Sequence, residues 1–384
     1  MDLIATHVMN VFQEYFSSSP ALYFSPGRIN LIGEHIDYND GFVMPAAIDS
    51  GVYYALAGNN SEMLNFYSVD FDERLSIPLS GIKKLDHWKN YVLSVVNEFV
   101  IAGHSLHGFD CVFGGNIADG AGMSSSAAVE GGLAMAINEH FNCGYNKQEL
   151  ALLCQRAEHN FPGVNCGIMD QFANMMGKQE AVILLDCMTL DHKYLPLELE
   201  DYEIVLINTK VHHSLATSEY NKRRHECEDG MKIIRSHSPI HSFRDIKSSE
   251  ELSPYREEMG QTIFNRCSFV VEEILRTQKA ASLLEKNDLP GFGQLMYEAH
   301  TGLSKLYEVS CKELDFLVDQ ACQNNLVVGA RMMGGGFGGC TINLVKTEGS
   351  EAFVNEAVIR YKKEFGIVAE VYKVKIVDGT HAIS

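Results

Sequence analysis

Arg28, Glu34, His35, Asp37 and Asp40 crowd into one short stretch of the chain near its N-terminus. The carboxylates of this stretch accept hydrogen bonds and its guanidinium donates them, whereas a hydroxyl group does both. The set therefore suits a small ligand that carries many hydroxyl groups. An exposed polar turn is the alternative interpretation.

A second stretch, residues 114–128, is rich in glycine and serine and runs from a predicted strand into a predicted helix. Gly120 and Gly122 let the backbone approach an anion without a Cβ clash, and the helix N-terminus adds free amides and a positive dipole end. Three hydroxyl donors follow, from Ser124, Ser125 and Ser126, and one of them could ligate Mg²⁺. The pattern indicates a phosphate loop of a type other than Walker A, because the chain has no Gly-x-x-x-x-Gly-Lys-Ser/Thr string. A serine-capped helix after a glycine turn is the alternative.

Two carboxylates flank a predicted turn between helices. Glu158 lies near the end of one helix, and Asp170 lies in the first turn of the next. A carboxylate at a helix N-terminus is stabilised in its charged form, so position alone favours a dipole-complementing role for Asp170.

A further glycine string at 334–339 has the spacing Gly-x-Gly-x-x-Gly. A dinucleotide site needs a helix after such a string, and here the β-prone segment 341–345 follows. We therefore interpret the string as a packed glycine turn that closes a site by backbone approach.

Composition limits the class of protein. A length of 384 residues favours two domains, and the net charge of −19 opposes binding to nucleic acid or to an anionic membrane. The ten cysteines include no Cys-x-x-Cys pair, which disfavours a structural zinc site, and many unpaired thiols fit a reducing compartment. Residues 1–16 have helical spacing without a basic start, and no apolar run is long enough to span a membrane. We expect a cytoplasmic protein.

Hydrophobic periodicity predicts antiparallel strands within 42–79 and helices at 88–102, 125–141 and 147–160. A strand is predicted at 181–186, and the second half is mostly helical, with strands at 204–207 and 341–345. This order indicates an α+β fold, with a domain boundary near 190–205 and a site between the domains.

Five strings carry a family resemblance. Residues 25–41 closely resemble the galactokinase signature, and 156–171 resemble another segment of that family nearly residue for residue. Galactokinases belong to the GHMP small-molecule kinases, and 114–128 and 331–340 resemble the second and third GHMP motifs. Met123 replaces the usual Leu, Asn116-Ile117-Ala118 replaces a proline-containing approach, and Met333 replaces the usual Thr. Residues 211–224 resemble the family's His-Ser-Leu string.

The resemblance implies a two-domain GHMP kinase fold. Residues 1–200 would form a mixed-sheet domain of the ribosomal S5 domain 2-like type, and 201–384 a ferredoxin-like α+β domain, with the active site in the cleft between them.

The resemblance also implies a role for each matching residue. Asp170 would be the catalytic base, with Arg28 beside it. The sugar contacts would be Glu34, His35, Asp37, Gly167, Asp170 and Tyr220. The nucleotide contacts would be Gly120, Ala121, Gly122, Met123, Ser124, Ser125, Ser126, Ala127 and Trp88. Mg²⁺ would be held by Glu158 with Ser125 or Ser126.

The implied activity is ATP-dependent phosphorylation of the anomeric hydroxyl of α-D-galactose, the entry to the Leloir pathway. Galactose, ATP and Mg²⁺ would be the ligands of a monomer. Kinases of mevalonate or homoserine would share the two glycine motifs but not residues 25–41. A kinase of N-acetylgalactosamine is a nearer alternative, and a non-catalytic galactose sensor is one from another class. A sensor should lack the base or carry a damaged phosphate loop, and this chain has both intact.

Overall fold

The computed structural model describes residues 2–118, 120–211 and 216–383. Asp119 of the phosphate loop and residues 212–215 of the His-Ser-Leu string lie outside the described residues.

The described chain alternates between strands and helices. The strands are β1 (Ala21–Asn30), β2 (Phe42–Val43), β3 (Pro45–Gly58), β4 (Met63–Ser68), β5 (Glu73–Pro78), β6 (Phe109–Gly115), β7 (Ala181–Asp186), β8 (His192–Pro196), β9 (Tyr202–Asn208), β10 (Val327–Met332), β11 (Cys340–Lys346), β12 (Glu370–Val374) and β13 (His381–Ile383). The helices are α1 (Leu3–Tyr15), α2 (Trp88–Ile101), α3 (Ser125–His140), α4 (Lys147–Asn160), α5 (Met169–Met176), α6 (Ala216–His237), α7 (Arg256–Leu284), α8 (Leu289–Lys305), α9 (Lys312–Cys322) and α10 (Ser350–Phe365).

The N-terminal half is built on a six-stranded sheet in the order β13-β1-β3-β6-β4-β5. Its pairs are antiparallel except β4 with β6, so the sheet is mixed as predicted. Helix α1 covers one face with Val8 and Phe12, and α2 and α3 supply core residues such as Val92 and Leu133. Because both faces are covered, β1 is buried along nearly its whole length, including its polar residues.

The C-terminal half contains a four-stranded sheet in the order β10-β11-β9-β12. Leu317 of α9 and Phe353 of α10 pack on one face, and Phe292 of α8 packs on the other. A separate three-stranded sheet, β2-β7-β8, is formed by residues 42–43, 181–186 and 192–196. The α+β class predicted from the element order is confirmed.

The chain returns to its first half at the end. Strand β13 pairs with β1, and Thr380 before it hydrogen-bonds to Asn174 of α5 at 2.8 Å. Asn174 also donates to Ser25 of β1 at 2.9 Å. The division at residue 200 stays a prediction, and β13 crosses it. Within the described residues, no helix combines the length and apolar character that a membrane span requires.

Candidate active site

Two cavities open side by side where the halves meet. The carboxylate cavity, about 250 Å³, is lined by Glu34, His35, Asp37, Glu158, Gly167 and Tyr220 among others. The glycine-loop cavity, about 240 Å³, is lined by Gly120, Ala121, Gly122, Met123 and Ser124 to Ser126 among others. Four residues line both: Arg28, Asp170, Gly334 and Gly335.

The boundary between the cavities is an arginine–carboxylate pair. Arg28 Nε donates to Asp170 Oδ1 at 2.9 Å, and Arg28 Nη2 donates to Asp170 Oδ2 at 3.0 Å. Arg28 is buried, whereas the Asp170 side chain keeps 27% exposure. Burial alone would lower the pKa of Arg28, but the charges of Asp170 and Glu34 outweigh it and raise that pKa. The two-point contact fixes the carboxylate in one orientation.

Ser124 holds Asp170 from the other side. It precedes α3 with φ 57° and ψ 56°, a left-handed conformation, and its side chain makes no capping bond. Its hydroxyl instead donates to Asp170 Oδ2 at 2.5 Å. The capped-helix interpretation of this serine is therefore wrong, and the hydroxyl serves the site.

Glu34 is held by the C-terminal half. Its Oε1 accepts from the amide of Gly334 at 2.6 Å and from Arg331 Nη2 at 3.2 Å. Arg331 is fully buried and also donates to the carbonyls of Leu31 at 2.7 Å and Asn30 at 2.5 Å. Through Glu34 and these carbonyls, one guanidinium thus joins the end of β1 to the third glycine string.

His35 uses both of its ring nitrogens within the protein. Nδ1 lies 2.7 Å from the Tyr38 hydroxyl, and Nε2 lies 3.2 Å from the carbonyl oxygen of Gly335. Burial, opposed by the Gly335 contact and aided by the charges of Arg223 and Arg331, lowers the pKa of His35 to about 3. A neutral imidazole therefore lines the carboxylate cavity.

Asp37 lies directly against Gly167. A Cβ on Gly167 would stand 1.9 Å from Asp37 Oδ2, so only glycine leaves room for this carboxylate. Burial, followed by the charges of Asp170 and Glu34, raises the pKa of Asp37 to about 7. A buried carboxyl group in this position is well suited to form hydrogen bonds with a polar ligand.

Tyr220 and Phe337 add an aromatic wall to the carboxylate cavity. The half-buried Tyr220 ring lies 5.3 Å from His35 and 5.4 Å from Tyr38, between ring centres. The cavity thus combines carboxylates with ring surfaces.

The third glycine string packs against the phosphate loop backbone to backbone. A Cβ on Gly122 would stand 3.2 Å from the carbonyl oxygen of Met333, and one on Gly339 would stand 3.3 Å from that of Gly120. These three glycines have φ values of 72° (Gly122), 78° (Gly339) and 67° (Gly120). These contacts agree with the predicted role of the string, in which close packing of its backbone closes the site.

Glu158 lines the carboxylate cavity and is buried. Its carboxylate accepts from Gln171 at 2.6 Å and interacts with the hydroxyl of Ser126 and the thiol of Cys166. Burial and the charge of Asp170 raise the pKa of Glu158 to about 7.

The fully buried Glu130 stands behind this group. As a carboxylate it would have no hydrogen-bond partner among the described residues, and Gln171 Oε1 has none either. Only a protonated Glu130 can donate a hydrogen bond, and Gln171, which its side chain contacts, carries an unpaired acceptor oxygen. Burial, followed by the charge of Glu158, raises the pKa of Glu130 well above its usual value and favours that form.

The donor set fits Mg²⁺. This ion takes oxygen ligands and is commonly bound by one or two carboxylates together with substrate phosphates. Glu158 and Ser126 supply a carboxylate and a hydroxyl beside the glycine-loop cavity, while Ser125 is exposed. Among the described residues no cluster of three or more His, Cys, Asp or Glu could hold a metal. A site shared with phosphate oxygens does not need one.

Two predicted residues lie outside the cavities. Ala127 is buried in the first turn of α3, behind the loop. Trp88 is 5% exposed and packs edge-on against Phe113 at 5.4 Å, and its indole N–H donates to Glu73 at 2.8 Å. In the described structure Trp88 is a core residue, so its adenine role stays a prediction. The remaining predicted residues line one cavity or both.

Sequence reasoning missed the residues that hold the site from a distance. Arg331 and Gln171 stand in strings that were interpreted through their neighbours, and Glu130 lies in a helix whose buried face was not assigned from sequence. One signal was available for Arg331, because a charged residue inside an apolar strand requires a buried partner.

The comparisons with known proteins define the class first. Residues 90–178 match the model of the GHMP kinases N-terminal domain, and residues 280–363 match that of the GHMP kinases C-terminal domain. A mevalonate kinase crystal structure with 19% identity has a TM-score of 0.63 and shares the fold. The chain has the fold of a GHMP kinase.

Residues 10–57 match the galactokinase galactose-binding signature. The chain is 40% identical to galactokinase of Clostridium acetobutylicum over 98% of its length and 97% of that protein, and 40% identical to galactokinase of Bacillus subtilis over 97% of each. The crystal structure of Lactococcus lactis galactokinase complexed with galactose covers 98% of this chain and 99% of its own, with 35% identity and a TM-score of 0.95. The chain belongs to the galactokinase family.

Proposed function

We propose that this chain transfers the γ-phosphoryl group of ATP to the anomeric hydroxyl of α-D-galactose, giving galactose 1-phosphate and ADP. The observation that carries the proposal is the position of Asp170, held by Arg28 and Ser124 at the boundary of the two cavities. A base at that boundary can reach a hydroxyl in one cavity and leave it facing a phosphate in the other. Family membership supports the choice of galactose.

The carboxylate cavity binds the sugar in this proposal. Glu34 and Asp37 accept hydrogen bonds from sugar hydroxyls, and Tyr220 packs against or bonds to the ring. Because Glu34 is fixed by Arg331 and Asp37 by Gly167, little side-chain ordering remains when the sugar binds.

The glycine-loop cavity binds the triphosphate. The amides of residues 120–126 face the phosphates, and the N-terminus of α3 adds its positive dipole end. Glu158 and Ser126 hold Mg²⁺, which when bound neutralises charge on the phosphate oxygens.

The proton moves from the anomeric hydroxyl to Asp170 as the sugar oxygen forms its bond to the γ-phosphorus and the bond to the ADP oxygen breaks. Arg28 holds Asp170 in place before the reaction and faces the charge that develops on the phosphoryl oxygens. Positioning and charge stabilisation dominate such transfers, which is what a rigid Arg28–Asp170 pair supplies.

The first experiment mixes the purified chain with Mg-ATP and a panel of free sugars. ADP release gives the rate, and phosphorus NMR identifies the product. An anomeric phosphate from galactose, with glucose and N-acetylgalactosamine far slower, is the expected result. Preference for another sugar would overturn the substrate assignment, and galactose binding without ADP release would favour a sensor.

We also infer a cytoplasmic location, since ten unpaired cysteines suit a reducing compartment. The monomeric state expected from the sequence stays a prediction.

A further inference from the structure

A line of hydrogen bonds runs from the carboxylate cavity into the C-terminal half. His35 contacts the Tyr38 hydroxyl at 2.7 Å, and that hydroxyl lies 3.0 Å from the hydroxyl of Tyr307. The Tyr307 hydroxyl lies 3.2 Å from the sulfur of Cys227. Tyr307 and Cys227 are fully buried, and neither lines the cavity.

The donor and acceptor capacities of these groups determine which atom donates in each hydrogen bond of the line. A carbonyl oxygen can only accept, so the His35 nitrogen that faces Gly335, Nε2, carries the proton. In the neutral ring Nδ1 then accepts, and the Tyr38 hydroxyl is its donor. Because that hydroxyl has one proton, it must accept from Tyr307, whose own oxygen accepts from the Cys227 thiol.

A second set of contacts holds the segment that contains His35 and Tyr38, residues 35–39. The side-chain amide of Asn39 donates to the carbonyl of His35 at 2.9 Å and also contacts the sulfur of Cys227. Both ends of the short segment 35–39 are therefore anchored on one buried tyrosine–cysteine pair.

We propose that Tyr307 is a positioning residue for the sugar site, whose hydroxyl holds Tyr38 and, through it, keeps His35 and segment 35–39 against Gly335. The inference rests on the proposed function, in which this cavity binds galactose. Packing alone does not explain the hydroxyl, since the Tyr307 ring already contacts Phe269 at 4.7 Å and His35 at 5.1 Å between ring centres. A phenylalanine there would keep both ring contacts.

Loss of the hydroxyl leaves Tyr38 without its donor. Tyr38, and with it segment 35–39, then loses an anchor on the C-terminal half, and His35 moves more freely against Gly335. Galactose would have to order this segment on binding, which weakens its affinity, whereas the phosphate loop is untouched.

The test compares Tyr307→Phe with Tyr361→Phe. Tyr361 is a matched control because it is also fully buried and its hydroxyl makes one bond, to the carbonyl of Thr209 at 2.8 Å, in the core of the C-terminal sheet. The measurements are KM for galactose, KM for ATP and kcat. Nitrogen NMR of histidine-labelled protein without sugar reads the state of the ring nitrogens, with the His35 signals assigned by their loss in His35→Asn.

We expect Tyr307→Phe to raise KM for galactose about threefold to tenfold, the range for one lost hydrogen bond, with KM for ATP changed less than twofold. The His35 Nε2–H signal should shift and broaden as its bond to Gly335 loosens, and Tyr361→Phe should change neither readout. The proposal is overturned if the His35 signals are unchanged in Tyr307→Phe, or if both variants raise KM for galactose equally. Turnover of galactose by the parent chain tests the proposed function separately, because the NMR readout needs no substrate.

Discussion

The two cavities share Arg28 and Asp170 and are built in different ways. The glycine-loop cavity consists largely of consecutive residues, from Gly120 to Ser126, that present amides and hydroxyls. The carboxylate cavity consists of side chains that are far apart in the chain and fixed by bonds between the halves, such as Glu34 with Gly334 and His35 with Gly335.

This difference follows from the ligands. Phosphate oxygens are alike and strongly charged, so a row of amides at a helix N-terminus can bind them with little side-chain detail. A sugar differs from its epimers by the direction of one hydroxyl, so its site must hold each partner in place. Changes to single side chains should therefore act strongly and selectively on the carboxylate cavity.

The largest effect is expected where the cavities meet. Asp170→Asn removes the base and keeps the shape, so kcat should fall about a thousandfold, while ATP binding measured by calorimetry stays within a few-fold. Asp186→Asn is the control, because Asp186 also holds an arginine at two points, Arg244 at 2.7 and 2.8 Å, and lines neither cavity. Retained turnover in Asp170→Asn would exclude the base assignment.

The next effect concerns the metal on the glycine-loop side. Ser126→Ala should weaken the apparent affinity for Mg²⁺ on the order of 10–100-fold, measured as activity against free Mg²⁺ at saturating ATP. Ser125→Ala should change it less than threefold, because Ser125 is exposed and Ser126 interacts with Glu158. The reverse order of the two variants would move the metal ligand to Ser125.

The two cavities were not equally predictable from sequence. The phosphate loop is local, so spacing alone indicated it, and helix α4 at 147–160 and strand β7 at 181–186 occur at the predicted bounds. The Arg331–Glu34 pair joins residues 297 positions apart, and only the fold determines such a contact.

Burial also determines surroundings that residue type does not show. Trp88, a predicted nucleotide contact, packs in the core and its indole N–H donates to Glu73, so its adenine role stays a prediction. Strands β8 and β13 were not predicted. They have five and three residues, too few for a clear periodic pattern, and they form because they pair with β7 and β1.

A smaller and more selective effect is expected from Gly167→Ala. The new Cβ would collide with Asp37 Oδ2, and displacement of a ligand group by about 1 Å can cost up to about a hundredfold. We expect KM for galactose to rise about tenfold with KM for ATP unchanged. Gly163→Ala is the control, since its Cβ would meet no atom within 4 Å and its φ of 78° costs only stability. Equal changes in both KM values would show that the cavities are not independent.

The smallest effect is expected at a residue that supports the third glycine string, which lines the carboxylate cavity. His300 accepts from the amide of Met332 at 3.2 Å, next to the third glycine string, and its other ring nitrogen lies 3.1 Å from Asp315. Burial alone would raise the pKa of Asp315, but hydrogen bonds from His300, Ser310 and Ser304 outweigh it and lower that pKa to about 2. A carboxyl group whose pKa is lowered by folding stabilises the folded state at pH values above its unfolded pKa, which is near 4. This stabilisation is lost as the pH falls toward the folded pKa near 2. Because Asp315 is partly exposed, Asp315→Asn should lower the free energy of unfolding by only about 1 kcal/mol at pH 6. In urea titrations, the difference in the free energy of unfolding between parent and variant should shrink as the pH falls below 4. A difference that does not change with pH would show that the carboxylate charge does not support the glycine string.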